Sequence, residues 1–338
     1  MRRCLLGLLL LLGAAGTLHA QTLDAVRQRG ELRCGVFGQL PGFSAPDPQG
    51  VMRGLDADFC RAVAAAVLGD AEKARFVTAD SIEAGIAGLE SGAVDLLSSN
   101  LTATALRDAG RNITPTAVLL YDGQGLLVRA DAGIASLAQL DGKRVCVAVA
   151  GASQAILRDA ARRAGIGITP VPTTASGAAL LDGFKAGACE AVTADAAALA
   201  TLRITDLADP AGAVLLPERL SREPLTPFVR GGDDRWRRIV TWTLHALVAA
   251  EELEVTSAGI EAALQSDNAE TRFLIGLDPG LGVALGLADT WAAEAVRQVG
   301  HYGEIFDRNL GDGSPIGLDR GLSDLWRRGG LMYPYPFR

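Results

Sequence analysis

The chain has 338 residues, 49% of them hydrophobic and 21% charged, and a formal net charge of −7. That composition belongs to a globular protein rather than a disordered one, and the length suits two lobes better than one core. Setting Arg2 and Arg3 aside leaves 30 basic residues against 39 acidic ones, about −9, which argues against a nucleic-acid partner.

Residues 1–20, MRRCLLGLLLLLGAAGTLHA, carry two arginines, an apolar block from Leu5 to Leu12 and small residues before Gln21, the pattern of a secretory signal peptide. The mature chain is therefore expected to be exported. No later stretch offers about 18 unbroken apolar residues, so no membrane span is predicted. LRCGVF reads as a strand, LDADFCRAVAAAVLG as a helix with Asp56 as N-cap, ARFVTA as a strand, SIEAGIAGLESG as a helix and AVDLLSS as a strand. Such alternation predicts a mostly parallel sheet with crossover helices.

After the extended segment YDGQGLLVRADAG the pattern returns: KRVCVAVAG as strand, SQAILRDAARRAG as helix, ITPVPT as strand, SGAALLDGFKAG as helix and CEAVTAD as strand. A second extended segment, PLTPFVRGG, leads into the helix DRWRRIVTWTLHALVAAEEL. The extended segments, at 122–130 and 224–231, bracket the second unit, so the chain is expected to cross twice between lobes and to hinge there. The division this predicts is 21–127 and 227–338 for the first lobe, the latter with a C-terminal helical extension, and 128–226 for the second.

Cys34, Cys60, Cys146 and Cys189 follow the leader. In an oxidising compartment an even count predicts bridges, and sequence permits three pairings. Cys34 with Cys60 and Cys146 with Cys189 are favoured. Cys34 alternates with Leu32 and Val36 on a strand, and Cys60 shares the Phe59, Val63, Val67 face of the helix expected to cover it.

Metal or cofactor chemistry finds little support, since His245 and His301 lie far apart and the GxG patterns at Gly280 and Gly311 lack the spacing of a dinucleotide fingerprint. Gly151-Ala-Ser-Gln-Ala comes near a nucleophile elbow, and Ser153, Asp195 and His245 follow in the order of an α/β-hydrolase triad, which gives an enzyme alternative. A helix start with Ser153 as its cap explains the same letters, and the elbow's second glycine is an alanine. In SSNLTATALRD a strand end, a polar bend and a helix capped by Thr104 meet at Arg107. Free N–H groups at a helix start and a guanidinium together suit a carboxylate or phosphate.

The stretches GFSAPDPQGVMRGLDADFCRAVAAAVLGD, YDGQGLLVR, REPLTPFVRGGDDRWRRIVTWTLHALVAAEELEVT and VGHYGEIFDRNLGDGSPIGLDRGLSDLWRRGGLMYPYPFR carry a resemblance. With them the chain resembles the periplasmic solute-binding proteins of polar amino-acid ABC transporters, and among these the general L-amino-acid-binding proteins. The resemblance implies the type II periplasmic-binding-protein fold: two α/β lobes, each a mostly parallel sheet flanked by helices, on a two-strand hinge. It also implies a non-enzymatic, cofactor-free monomer of the periplasm that holds one polar or general L-amino acid and hands it to an inner-membrane permease with its ATPase.

The family's T-x-T-x-x-R motif stands here as Thr102, Thr104 and Arg107. The resemblance implies that Arg107 clasps the ligand's α-carboxylate with Ser99, Asn100 and Thr102 beside it. In the other lobe Gly151, Ala152 and Ser153 fall on the family's Gly-Thr-Thr turn, and Asp195 on the aspartate that takes the α-ammonium. Ser99, Leu101 and Ala103 replace an arginine, a threonine and a tryptophan usual in near relatives. Gly85 stands where they often have arginine, and Leu40 where many stack an aromatic ring. A pocket altered more than its frame is expected, with a preferred side chain of its own. A dehydratase-like enzyme, a sensor subunit and a degenerate binding protein are the alternatives on this frame.

Overall fold

Two five-stranded sheets organise the computed structural model, which describes residues 22–149, 152–174 and 177–337. The expected leader, and Gly151 of the second-lobe turn, lie outside the described residues. The first sheet runs Ala74–Thr78, Leu32–Val36, Leu96–Leu97, Phe228–Arg230, Ile113–Pro115. The second runs Thr169–Thr173, Arg144–Ala148, Ala191–Asp195, Gln124–Arg129, Ala213–Leu215.

In each sheet four strands share one direction and one is reversed, Phe228–Arg230 in the first and Gln124–Arg129 in the second. The reversed strand is the one that arrives from the other lobe. Crossover helices bring strands back parallel, whereas a strand entering at the hinge runs away from it and so opposes its neighbours. Leu120–Asp122 and Glu223–Leu225 form the hinge itself, an antiparallel pair with Tyr121 opposite Pro224. The crossing therefore comes at the start of the first extended segment and across the start of the second. Their remaining residues belong to the sheets.

The helix Leu55–Leu68 covers the first sheet, and its N-cap is Gly54 rather than the expected Asp56. Gly54 sits at φ 123, where an added Cβ would lie 2.2 Å from the Phe43 carbonyl, so only glycine fits. Ser81 and Thr104 do cap, accepting from the N–H groups of Ala84 and Arg107 at 3.1 and 3.3 Å. Ser153 does not: it is the first residue of the helix Ser153–Ala164, and Ala152 is the N-cap. The helix read from SGAALLDGFKAG is a 3-10 turn, Gly177–Leu181, followed by the short α-helix Asp182–Lys185, as its glycines favour.

The disulfides are Cys34–Cys60 and Cys146–Cys189, with Cα separations of 6.2 and 5.7 Å. The first ties the strand Leu32–Val36 to its covering helix, and the second ties Arg144–Ala148 to the approach of Ala191–Asp195. Beyond residue 258 the chain packs on the first sheet's helices, Trp291–Val299 against Leu55–Leu68 and Tyr302–Asn309 against Asp234–Glu252. Trp236, Trp291, Tyr302, Phe306 and Phe337 are buried there together. Among the described residues no helix is long and apolar enough to cross a membrane.

Candidate functional site

Strand Leu96–Leu97 ends in a bend fastened from below by Asp56. The Ser98 hydroxyl donates to Asp56 Oδ1 at 2.6 Å and the Asn100 N–H to Oδ2 at 2.9 Å. These bonds hold Asn100 at φ 50, a left-handed conformation uncommon outside glycine. Asp56 is 4% exposed, and burial pushes its carboxyl up to about 6 against the pull of those two donors.

The next residues lie along the hinge. Ala103 N–H donates to Pro224 O and Thr226 N–H to Leu101 O, both at 2.9 Å, so the bend forms an extra edge on strand Glu223–Leu225. Arg107, in the helix Ala105–Gly110, turns back over this edge and donates from Nη1 to Thr102 O at 2.7 Å. Burial lowers its pKa, while the charges of Glu223, Glu83 and Asp195 oppose that shift.

Asp195 faces it from the second sheet. It ends strand Ala191–Asp195 and precedes the helix Ala196–Asp206, yet its side chain makes no cap bond. The cap is supplied by Asp122 on the hinge strand, whose Oδ2 accepts from Ala197 N–H at 3.1 Å. Asp195 is thereby released toward the cleft. Part of its surface is still reached by solvent, but dense protein on both sides desolvates it. That burial, with the charges of Asp122 and Glu223, raises its pKa to about 7 against Arg107 and a hydrogen bond from the Asn100 side chain. The Asn100 Oδ1 is buried and without a hydrogen-bond partner among the described residues. Asn100 thus influences Asp195 across the lobes as well as belonging to the Arg107 bend.

Ser99 and Ser153 are half-buried. Gln124 anchors Ser153, donating from Nε2 to the Ser153 carbonyl and to Thr193 Oγ1, each at 3.0 Å. The structure thus gathers Asn100, Thr102 and Arg107 from the first lobe and Asp195 from the second. It does not assemble the hydrolase triad. His245, on helix Asp234–Glu252, stacks on Tyr335 of the C-terminal tail with centroids 4.3 Å apart, and burial lowers its pKa to about 4. His301 caps the helix Tyr302–Asn309. Among the described residues no group of three or more His, Cys, Asp or Glu is placed to hold a metal.

Leu40 is 5% exposed and packs in the main hydrophobic core. Gly85 lets its helix lie close on the sheet, an added Cβ meeting Leu97 at 3.2 Å. Sequence reasoning missed the supporting acids. Asp56 reads in the sequence as a cap of its own helix, and Asp122 and Glu223 carry no local pattern that marks them. The only signal was polar residues within otherwise buried patterns.

The family of bacterial extracellular solute-binding proteins, family 3, matches residues 32–258. The chain belongs to that family. This solute-binding protein is 44% identical over 325 residues, 96% of its length and 95% of the relative's, to the glutamate/glutamine/aspartate/asparagine-binding protein of Rhodobacter capsulatus. It is 39% identical over 335 residues, 98% and 97% of the two chains, to the general L-amino acid-binding periplasmic protein of Rhizobium johnstonii. Its fold matches an ABC transporter periplasmic binding protein from Brucella ovis with glutathione bound, at TM-score 0.89 and 39% identity over 95% of this chain and 100% of that one. The solute-binding protein is a non-catalytic receptor of the periplasm that serves an ABC permease.

Proposed function

We propose that the protein captures the zwitterion of a polar L-amino acid between its lobes, one ligand per monomer, and presents the closed form to its permease and ATPase. One observation carries this reading: Arg107, in the helix Ala105–Gly110 beside the hinge, and Asp195, at the end of strand Ala191–Asp195, belong to different lobes, and each feels the other's charge. In this reading Arg107 takes the α-carboxylate, with Ser99, Thr102 and the helix start at Ser153 adding donors. Asp195 takes the α-ammonium, and the free Asn100 Oδ1 accepts a further N–H.

Micromolar capture requires about 8 kcal/mol, whereas one charged hydrogen bond nets roughly 1.5 to 3 kcal/mol. Neither lobe suffices alone, so the ligand stabilises the closed state through contacts that only closure completes.

The side-chain preference follows from charge and from relatives. The Rhodobacter relative is named for glutamate, glutamine, aspartate and asparagine, and the Brucella structure holds glutathione, whose γ-glutamyl amide carries the same α-amino-acid head as glutamine. Glu83, Asp122 and Glu223 around Arg107 and Asp195 make this cleft acidic. Glutamine, asparagine and γ-glutamyl amides are therefore favoured over the free acids. Calorimetry with these ligands is the test. We expect amides to bind best and Arg107→Ala to cost about 2 to 5 kcal/mol by stranding a buried carboxylate. Silence toward every amino acid, or unchanged affinity in Arg107→Ala, refutes the assignment.

A further inference from the structure

We propose that the C-terminal extension braces the hinge, with Ser323 and Tyr302 acting as positioning residues that confine lobe rotation to the junction between Tyr121 and Asp122. The proposal rests on the reading of the cleft as a site that closes by hinging. The extension lies beyond the family match, which ends at residue 258, so the family's defining segment does not explain it.

Ser323 is 0% exposed. Its hydroxyl accepts from Tyr121 N–H at 2.8 Å and donates to Tyr121 O at 3.4 Å, as a neighbouring strand would. Two residues earlier on the same segment, Leu119 O accepts from the Tyr302 hydroxyl at 2.8 Å. Tyr302 is also 0% exposed. Both donors are held rigidly. The Arg320 guanidinium donates to Glu251 Oε1 and Oε2 at 2.7 and 3.1 Å and lies 5.0 Å above the Tyr302 ring, which ties the extension to helix Asp234–Glu252 of the first lobe.

The arrangement is a ladder. Ser323 bonds to Tyr121, Leu120 and Tyr121 pair with Leu225 and Pro224 on strand Glu223–Leu225, and that strand borders Leu101–Ala103 of the Arg107 bend. Tyr121 therefore moves with the first lobe. Its neighbour Asp122 accepts from Ala197 N–H at 3.1 Å, and Gly123 O from Ala196 N–H at 2.9 Å, so both move with the second lobe. With one residue fixed to each body, no slack remains for the lobes to sample other axes, and the closed geometry is approached along one path. Removing a brace bond frees residues 119–121, widens the open ensemble and makes closure entropically costlier.

The test is the distance distribution between spin labels at Ile82→Cys and Val149→Cys, one in each lobe and 50% and 47% exposed, read without ligand and with glutamine. The four native cysteines past the leader are paired, so labelling is selective. We expect a narrow ligand-free distribution in the parent, a broader one in Ser323→Ala and in Tyr302→Phe, an unchanged closed distance, and a Kd raised about three- to tenfold, as an open ensemble enlarged by that factor implies. Ligand-free distributions that stay as narrow as the parent's in both variants, with only the melting temperature lowered, overturn the brace. If Ser323→Ala does not fold, Tyr302→Phe decides, since it removes a single oxygen. The ligand-free width reads the brace even if glutamine is not the ligand, which separates this failure from failure of the assigned function.

Discussion

Asp195 is the residue where chemistry and pH meet. Burial pushes the Asp195 carboxyl up to about 7, and an ammonium placed beside it favours the charged form, so a bound ligand lowers that pKa. Binding below pH 7 then expels a proton, and affinity rises with pH until it levels above about 7. Calorimetry in buffers of different ionisation enthalpy should show proton release near pH 6 and a Kd growing toward about tenfold per pH unit below it. A Kd flat from pH 5 to 8 rules this out. Asp56 makes the matching case for stability. Its folded pKa of about 6 exceeds the usual carboxylate value, so its charge destabilises the fold progressively as pH rises from about 4 to 6, and fully above that. Asp56→Asn keeps an acceptor for Asn100 N–H and a donor for Ser98, and is expected to cost less than about 1 kcal/mol at neutral pH while flattening this pH dependence. Asp56→Ala strands both groups and should cost about 2 to 4 kcal/mol in urea unfolding. The difference between these acids also marks what sequence can disclose. Arg107 and Thr104 were legible because a cap and a guanidinium sit within one helical turn. Asp195 was legible only by resemblance, because a strand-end aspartate before a helix looks like a cap. Asp56, Asp122 and Glu223 act across tens of residues, and no local spacing records that.

At the scale of elements, local patterns foretold most of the two sheets. Leu32, Cys34 and Val36 alternate inward, Thr104 starts a helix, and the Cys34–Cys60 pairing follows from which helix must cover which strand. What escaped was the junction between elements. An extended run gives the same period-two signal whether it pairs in a hinge or in a sheet, so the step from Leu120–Asp122 to Gln124–Arg129 was invisible until partners were known. The bridges have a measurable consequence at this scale. They close loops with sequence separations of 26 and 43, and chain-entropy models assign each about 3 to 4 kcal/mol. Reduction should lower the urea midpoint accordingly. A double replacement, Cys146→Ala with Cys189→Ala, should weaken the second lobe while leaving helix Leu55–Leu68 protected in hydrogen exchange. Equal loss of protection in both lobes would mean that they unfold as one unit.

For the whole molecule the decisive property is that neither sheet owns the site. In the proposed reading each lobe presents one half of a charge pair, Arg107 in the first and Asp195 in the second, and the hinge strands run between the halves. Such a protein gains stability from its ligand by closing, because the contacts formed belong to the assembled state alone. At a hundredfold its Kd a ligand adds about 2.7 kcal/mol, which for a chain of this length corresponds to a rise of roughly 3 to 5 °C in melting temperature. The matched expectation is a smaller radius of gyration in solution scattering, since closure brings the lobes together. Glutamine should produce both effects in the parent protein and much smaller ones in Arg107→Ala at the same concentration. A melting shift without compaction would place the ligand on one lobe only, and that outcome would remove closure from the mechanism even though binding survived.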